Sequence, residues 1–230
     1  MLTDANVVIE EFQHFINAET YPCVAARAAV SRGQVSCMVT DHMSCPKDDP
    51  KILLFIYDFV EEFRKRHSIL HSAAIIFAGP QEITESTFET LLWQRLQALS
   101  DLDAENYGYD SRVSSDPSAA NFSFSLAEEA FFIIGMHPAS ARRSRQFKYP
   151  AMVFNPHFQF EEMRRSGQYE KMKNVVRRRD TLYSGSINPM LADFGDASEV
   201  HQYSGRRYDD TWTCPLKITH GEAENNSSEK

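Results

Sequence analysis

The stretch "NFSFSLAEEAFFIIGM", residues 121–136, decides the fold class. "NFSFSL" alternates apolar and polar side chains, the pattern of a strand with one covered face. "AFFIIGM" is apolar throughout, as a strand covered on both faces would be. Their hairpin-like adjacency makes part of the sheet antiparallel. Working outward, "QVSCMVT" (34–40), "SAAIIFAGP" (72–80) and "PAMVFN" (150–155) read as further strands. Helical spacing of apolar residues marks 7–18 and 51–68, and Pro22 and Gly33 punctuate a short helix over 22–31. Ser86 and Glu89 form a capping-box pattern ahead of "TFETLLWQRLQALSDLD", which is expected to end near Asp101. Residues 158–178 are helical in pattern, with Gly167 as the expected break. Residues 41–50 read as an irregular loop, and 103–120 as a polar loop long enough to suspect a functional one. Residues 180–205 are expected to be ordered but irregular. Strands interleaved with helices predict an α+β fold: a single domain over 1–218, with a mixed central sheet of about four to six strands flanked by helices, and a disordered tail over 219–230.

Composition narrows the function classes. Hydrophobic residues make up 42% of the 230, and 16 of the side chains are Phe, which suits a sizeable core. The apolar run 52–57 stops at Asp58, far short of the roughly 20 residues that span a bilayer. "MLTDANVVIEEF" lacks the basic start and long apolar core of a secretory signal. A cytoplasmic protein without a membrane segment is therefore expected. Cys23, Cys37, Cys45 and Cys214 are too irregularly spaced for a disulfide framework, and no C-x-x-C occurs. The net charge of −8 argues against a nucleic-acid surface, yet residues 142–180 hold eleven Lys and Arg against four Asp and Glu. That local excess of cations suits an anion site.

Two histidines close apolar strands, His137 in "HP" and His157 in "PH". At a sheet edge an imidazole can hold zinc, non-heme iron or heme iron. No H-E-x-x-H, H-x-H or facial-triad spacing is present, whereas heme needs only one or two axial ligands and carries two propionates. Arg142, Arg143, Arg145 and Lys148 supply the chemistry for those carboxylates. If one helical turn follows the Pro-Ala-Ser turn, Arg142 and Arg145 share a face and Arg143 points elsewhere. Nucleotide loops and the G-x-S-x-G elbow are absent.

"YPCVAARAAVSRG", "VSSDPSAANFSFSLAEEAFFIIGMHPASARRSRQF", "MVFNPHFQFEEMRRSGQY", "RRRDTLYSGSINPMLADFG" and "SEVHQYSGR" followed by "WTCPL" resemble the successive blocks of the YqcI/YcgG family. The resemblance runs from about Phe12 to Leu216. It departs at "VAARAA", where "VGAKAA" is frequent, and at "NPH", where "NLH" is common; the histidines and arginines are intact. It implies a heme-dependent N-hydroxylase of the type found in guanitoxin and D-cycloserine pathways. Such an enzyme acts on the guanidino group of L-arginine or a related amino acid, using heme b, O2 and an unidentified electron donor. On that reading His137 and His157 are the iron ligands, His137 first because of its basic neighbours, with Cys23 as the thiolate alternative. Arg142 and Arg145 bind the cofactor. Asp116 and Glu161 are the expected guanidinium partners, ahead of Asp193. Two other readings stay open: a heme-binding sensor or carrier, and a metal-dependent hydrolase using His137, His157 and Asp193. Whether the chain forms a homodimer is also open.

Overall fold

The computed structural model describes residues 4–66, 70–186, 188, 190 and 195–220. It is an α+β domain built on a mixed five-stranded sheet flanked by helices. In chain order the elements are α1 (Ala5–Asn17), α2 (Val24–Ser31), β1 (Val35–His42), α3 (Asp49–Arg66), β2 (Ser72–Gly79), α4 (Glu85–Asp103), β3 (Phe124–Leu126) and β4 (Glu129–Met136). Then follow β5 (Ala151–Pro156), α5 (His157–Arg165), α6 (Tyr169–Ser184) and the short α7 (Val200–Tyr203), with 3₁₀ turns at Pro46–Asp48 and Arg143–Arg145.

The strands lie in the order β1-β2-β5-β4-β3. β1 and β2 are parallel, with α3 as their crossover. The other pairings, β2 with β5, β5 with β4 and β4 with β3, are antiparallel. The continuous apolar run of β4 has its explanation here, because the strand lies between two others with side chains packed on both faces. Phe131 and Ile133 pack with Ile75, Phe154, Leu92 and Leu96 under α3 and α4. Ile134 and Met136 face the other way, towards Phe12, Ile16 and Val153 under α1. Period-2 alternation puts Phe131 and Ile133 in the first layer and Ile134 and Met136 in the second.

Gly135 is the exception that brings α7 onto the sheet. A Cβ there would lie 2.7 Å from Phe88 Cε1 and 2.9 Å from the carbonyl oxygen of Tyr203. Neither can retreat easily, since Phe88 and Tyr203 are fully buried. Gly135→Ala is therefore expected to destabilise the fold by about 2 kcal/mol through overpacking, read as a lower midpoint in urea with an unchanged slope.

Local chemistry accounts for most helix ends. Gly167, at φ +70°, separates α5 from α6 where the pattern predicted a break. The cap of α4 differs from the expected capping box: Thr84, not Ser86, accepts the hydrogen bond from a first-turn amide, that of Thr87 at 3.1 Å. The 41–50 segment is more regular than its prolines suggested, since β1 runs to His42 and α3 opens at Asp49. His220 is held through Nε2 to the buried Asp103 at 3.0 Å, and the expected tail beyond it lies outside the described residues. Among the described residues no helix is long and apolar enough to cross a membrane.

Candidate functional site

Under the even-numbered face of β4 the core does not close. A cavity of about 330 Å³ lies between that face, α1, α2 and the α5–α6 pair. Its walls are apolar, with Phe12, Ile16, Val30, Ile134, Met136 and Val153 among them. The outer wall is α6, which buries none of its side chains; Met172 and Val176 line the cavity instead. Three arginines fasten α6 in place. Arg142 pairs with Asp180, Arg143 donates to the Tyr183 carbonyl at 3.4 Å, and Arg179 donates to the carbonyls of Glu19 and Tyr21 at 2.5 and 3.1 Å.

The two histidines part company. β4 and β5 are antiparallel, with Met136 paired to Ala151 and Phe131 to Pro156. The C-terminal ends of the two strands therefore lie at opposite ends of the sheet, separated by five residue steps or about 17 Å of strand. The faces differ as well. His157 continues the Val153–Asn155 face and lines the cavity, whereas His137 has the parity of Phe131 and Ile133 and lies against Phe88, with ring centroids 4.2 Å apart. Of the two, His157 is on the cavity wall and His137 is not. The two histidines are not brought into one site. Among the described residues no group of three or more His, Cys, Asp and Glu is arranged to hold a metal ion.

His157 is buried at the first position of α5, and its Nδ1 lies 3.2 Å from Glu161 Oε1, one helical turn on. Burial lowers its pKa and the Glu161 carboxylate opposes that shift. His137 is fully buried, and neither ring nitrogen has a hydrogen-bond partner among the described residues. Burial, reinforced by the Arg145 cation, pushes its pKa down to about 4. It is a neutral core residue.

The arginines fall as the helical-turn reading predicted. Arg142 and Arg145 are buried and line the cavity, while Arg143 is exposed and sits 5.0 Å over the Tyr183 ring. Arg142 also donates to the Ser186 carbonyl at 2.9 Å. Arg145 donates through one nitrogen to the carbonyls of Tyr203 and Gly135, at 3.0 and 3.4 Å, and has no carboxylate partner among the described residues. Burial lowers its pKa to about 10. Lys148 turns away to an exposed pair with Glu11 at 2.9 Å. The cavity wall gains Arg164, Lys173 and Arg177 from α5 and α6.

The two expected guanidinium partners are not on the cavity wall. Asp116 is exposed and caps its own turn, accepting from the Ser118 amide and hydroxyl at 2.9 and 2.8 Å, bonds that lower its pKa. Glu161 is engaged with His157. The 103–120 loop contributes no cavity residue and braces the edge of β3, where Tyr109 donates to the Ser123 carbonyl at 2.6 Å. Cys23 does line the cavity, as the N-cap of α2, but burial raises its pKa and disfavours the thiolate. Asp193 lies outside the described residues.

A model of the YqcI/YcgG family matches residues 12–217. The chain belongs to the YqcI/YcgG family. Two relatives from Bacillus subtilis (strain 168) match most of the chain. "Uncharacterized protein YcgG" is 25% identical over 196 residues, 81% of this chain and 76% of its own. "Uncharacterized protein YqcI" is 26% identical over 194 residues, 80% and 74% respectively. No solved structure matches.

In this YqcI/YcgG chain the residue that the sequence reading passed over is Glu199. It is 4% exposed, lines the cavity at the start of α7, and accepts on Oε1 from Ser123 Oγ at 2.8 Å and Tyr203 Oη at 2.6 Å. Burial pushes its pKa up to about 8, against the two hydroxyl donors. The spacing to Tyr203 is a helical i,i+4 pair, but nothing in "SEVHQY" separates this glutamate from a solvated one. Its depth comes from α7 resting on Gly135.

Proposed function

We propose that the protein is a heme-dependent N-hydroxylase acting on the guanidino group of L-arginine or a related guanidino amino acid. The observation that carries this reading is one cavity holding a carboxylate-braced imidazole, apolar walls and a buried arginine without a carboxylate partner among the described residues. That donor set fits heme b. The volume falls in the range of ligand pockets, about 300–1,000 Å³. His157 is the residue that would hold the iron, and Glu161 would orient its ring, as a carboxylate on the other ring nitrogen does for ligating histidines. Arg145 and Arg142 would receive the propionates through charge-assisted hydrogen bonds. Heme, when bound, supplies the activation of O2 and the transfer of oxygen. The chain supplies the rest: Phe12, Ile16, Ile134 and Val153 exclude water, and the Arg142–Asp180 pair holds α6 over the site.

The test is an absorption spectrum of protein expressed with heme precursor, repeated after dithionite and carbon monoxide. A Soret band at one heme per chain is expected, with a carbonyl complex of imidazole rather than thiolate type. Fully loaded preparations without a Soret band would sink the reading. Formation of N-hydroxyarginine, with O2 and a reductant consumed, separates the enzyme from a heme sensor or carrier.

A further inference from the structure

The cavity wall contains an imbalance that the heme reading leaves unused. Among the described residues it bears two carboxyl groups, Asp180 and Glu199. Asp180 is saturated by Arg142 and by the hydroxyls of Ser144 and Ser184, at 3.2 and 3.0 Å. Glu199 has no cation in ion-pair contact among the described residues, and both of its hydrogen bonds arrive at Oε1. Oε2 has no hydrogen-bond partner there. A buried carboxyl is ordinarily paired, because an uncompensated one is costly to hold.

Resting on the proposed function, we propose that Glu199 is the residue that binds the cationic head of the substrate, its Oε2 receiving a guanidinium N–H while Ser123 and Tyr203 hold Oε1. This is the pairing expected for a planar cation, which forks onto a carboxylate and supplies the partner the protein omits. Among the described residues the other charged or titratable groups on the wall are Arg142, Arg145, Arg164, Lys173, Arg177, His157, Asp180, Tyr21, Cys23 and Tyr169. Of these Arg164 is the one whose field reaches Glu199, lowering its pKa, while burial dominates and keeps the carboxyl protonated at neutral pH. Binding of a guanidinium then expels that proton: the Glu199 O–H proton goes to buffer and the carboxylate left behind pairs with the cation. Affinity for a guanidinium accordingly rises with pH up to about 8.

The experiment is titration calorimetry of the full chain with L-arginine and with L-citrulline, its neutral urea analogue, in phosphate and in Tris at pH 7. Close to one proton released per arginine, none per citrulline and a preference for arginine of about 30-fold are expected. In Glu199→Gln, which keeps an acceptor for Ser123 and Tyr203, the proton release and the preference should both disappear. Arginine binding without proton release would overturn the assignment, as would a preference unchanged in Glu199→Gln. So would failure of arginine, agmatine and methylguanidine alike to bind wild-type protein. The wild-type proton count needs no variant, so a folding defect in Glu199→Gln leaves the test intact. The Soret band of the same preparations is read separately. Proton-coupled arginine binding without a Soret band leaves the Glu199 assignment standing and removes heme; a Soret band without it does the reverse.

Discussion

His157→Ala is expected to abolish stoichiometric heme binding, while His137→Phe leaves the Soret band unchanged. The two imidazoles end neighbouring strands, yet only His157 faces the cavity, and only His157 has a carboxylate one turn away to fix its ring. Removing the carboxylate that steadies the ring, Glu161, should weaken binding by roughly 10- to 100-fold, and loss of the ligand itself by more than that. His137→Phe keeps the stacking on Phe88 and deletes two buried nitrogens that lack partners among the described residues. It has a second readout. The His137 pKa is depressed to about 4 in the folded protein, below the roughly 6.5 of an unfolded chain, so the unfolded state takes up the proton first as the pH falls. Stability carried by neutral His137 is therefore complete above pH ~6.5 and is lost progressively down to pH ~4, amounting to about 3 kcal/mol. His137→Phe should flatten that acid limb in urea melts between pH 7 and 4, leaving the contribution of His157. Retention of heme by His157→Ala together with its loss from His137→Phe would reverse the assignment.

The second large effect is expected at Arg142. Arg142→Ala leaves Asp180 in a largely buried site with two hydroxyls in place of a cation, and frees the Ser186 carbonyl. Breaking a buried ion pair from one side costs about 3–5 kcal/mol, and with Asp180 still partly solvated the lower end applies. The consequence should appear first at α6, which buries no side chain of its own and relies on such tethers. Faster amide exchange over Tyr169–Ser184 than over α3 or α4 is expected, together with weaker heme retention. Arg145→Ala should weaken heme by about 30- to 1,000-fold, the worth of a charge-assisted pair to a buried carboxylate, because its guanidinium has no competing protein carboxylate among the described residues. Arg143→Ala loses an exposed contact to Tyr183 and should change stability by under about 0.5 kcal/mol. Equal, small effects on heme retention at all three positions would mean that the cations serve only to hold α6 and α7 in place.

Local pattern was enough for most elements and for the hairpin that makes the fold α+β; α7, Val200–Tyr203, lies within the segment 180–205 expected to be irregular. The β4 run announces burial on both faces because a central strand has no polar side to show, and Gly167 announces a break because glycine alone takes φ +70° without strain. The pairing of Arg142 with Arg145 and the exclusion of Arg143 follow from the period of a single turn. The site itself was only half legible. His137 and His157 look equivalent in sequence, since each ends an apolar strand; the antiparallel register of β4 and β5 sends them to opposite ends, and one unit of parity sends them to opposite faces. The loop over 103–120 has the length of a functional loop, but Asp110 accepts from the Ala130 amide at 2.9 Å and binds it to the sheet edge instead. Asp116 and Glu161 have the forked-pair chemistry a guanidinium needs, whereas the cavity carboxyl without a cation among the described residues, Glu199, lies 38 residues beyond Glu161. What the sequence by itself determined is which residues prefer helix or strand and which side of each turns inward, because propensity and periodicity are properties of neighbours along the chain. Which charges go unpaired in the cavity was decided only by tertiary structure, because a buried ion's partner is set by whichever distant segment packs against it.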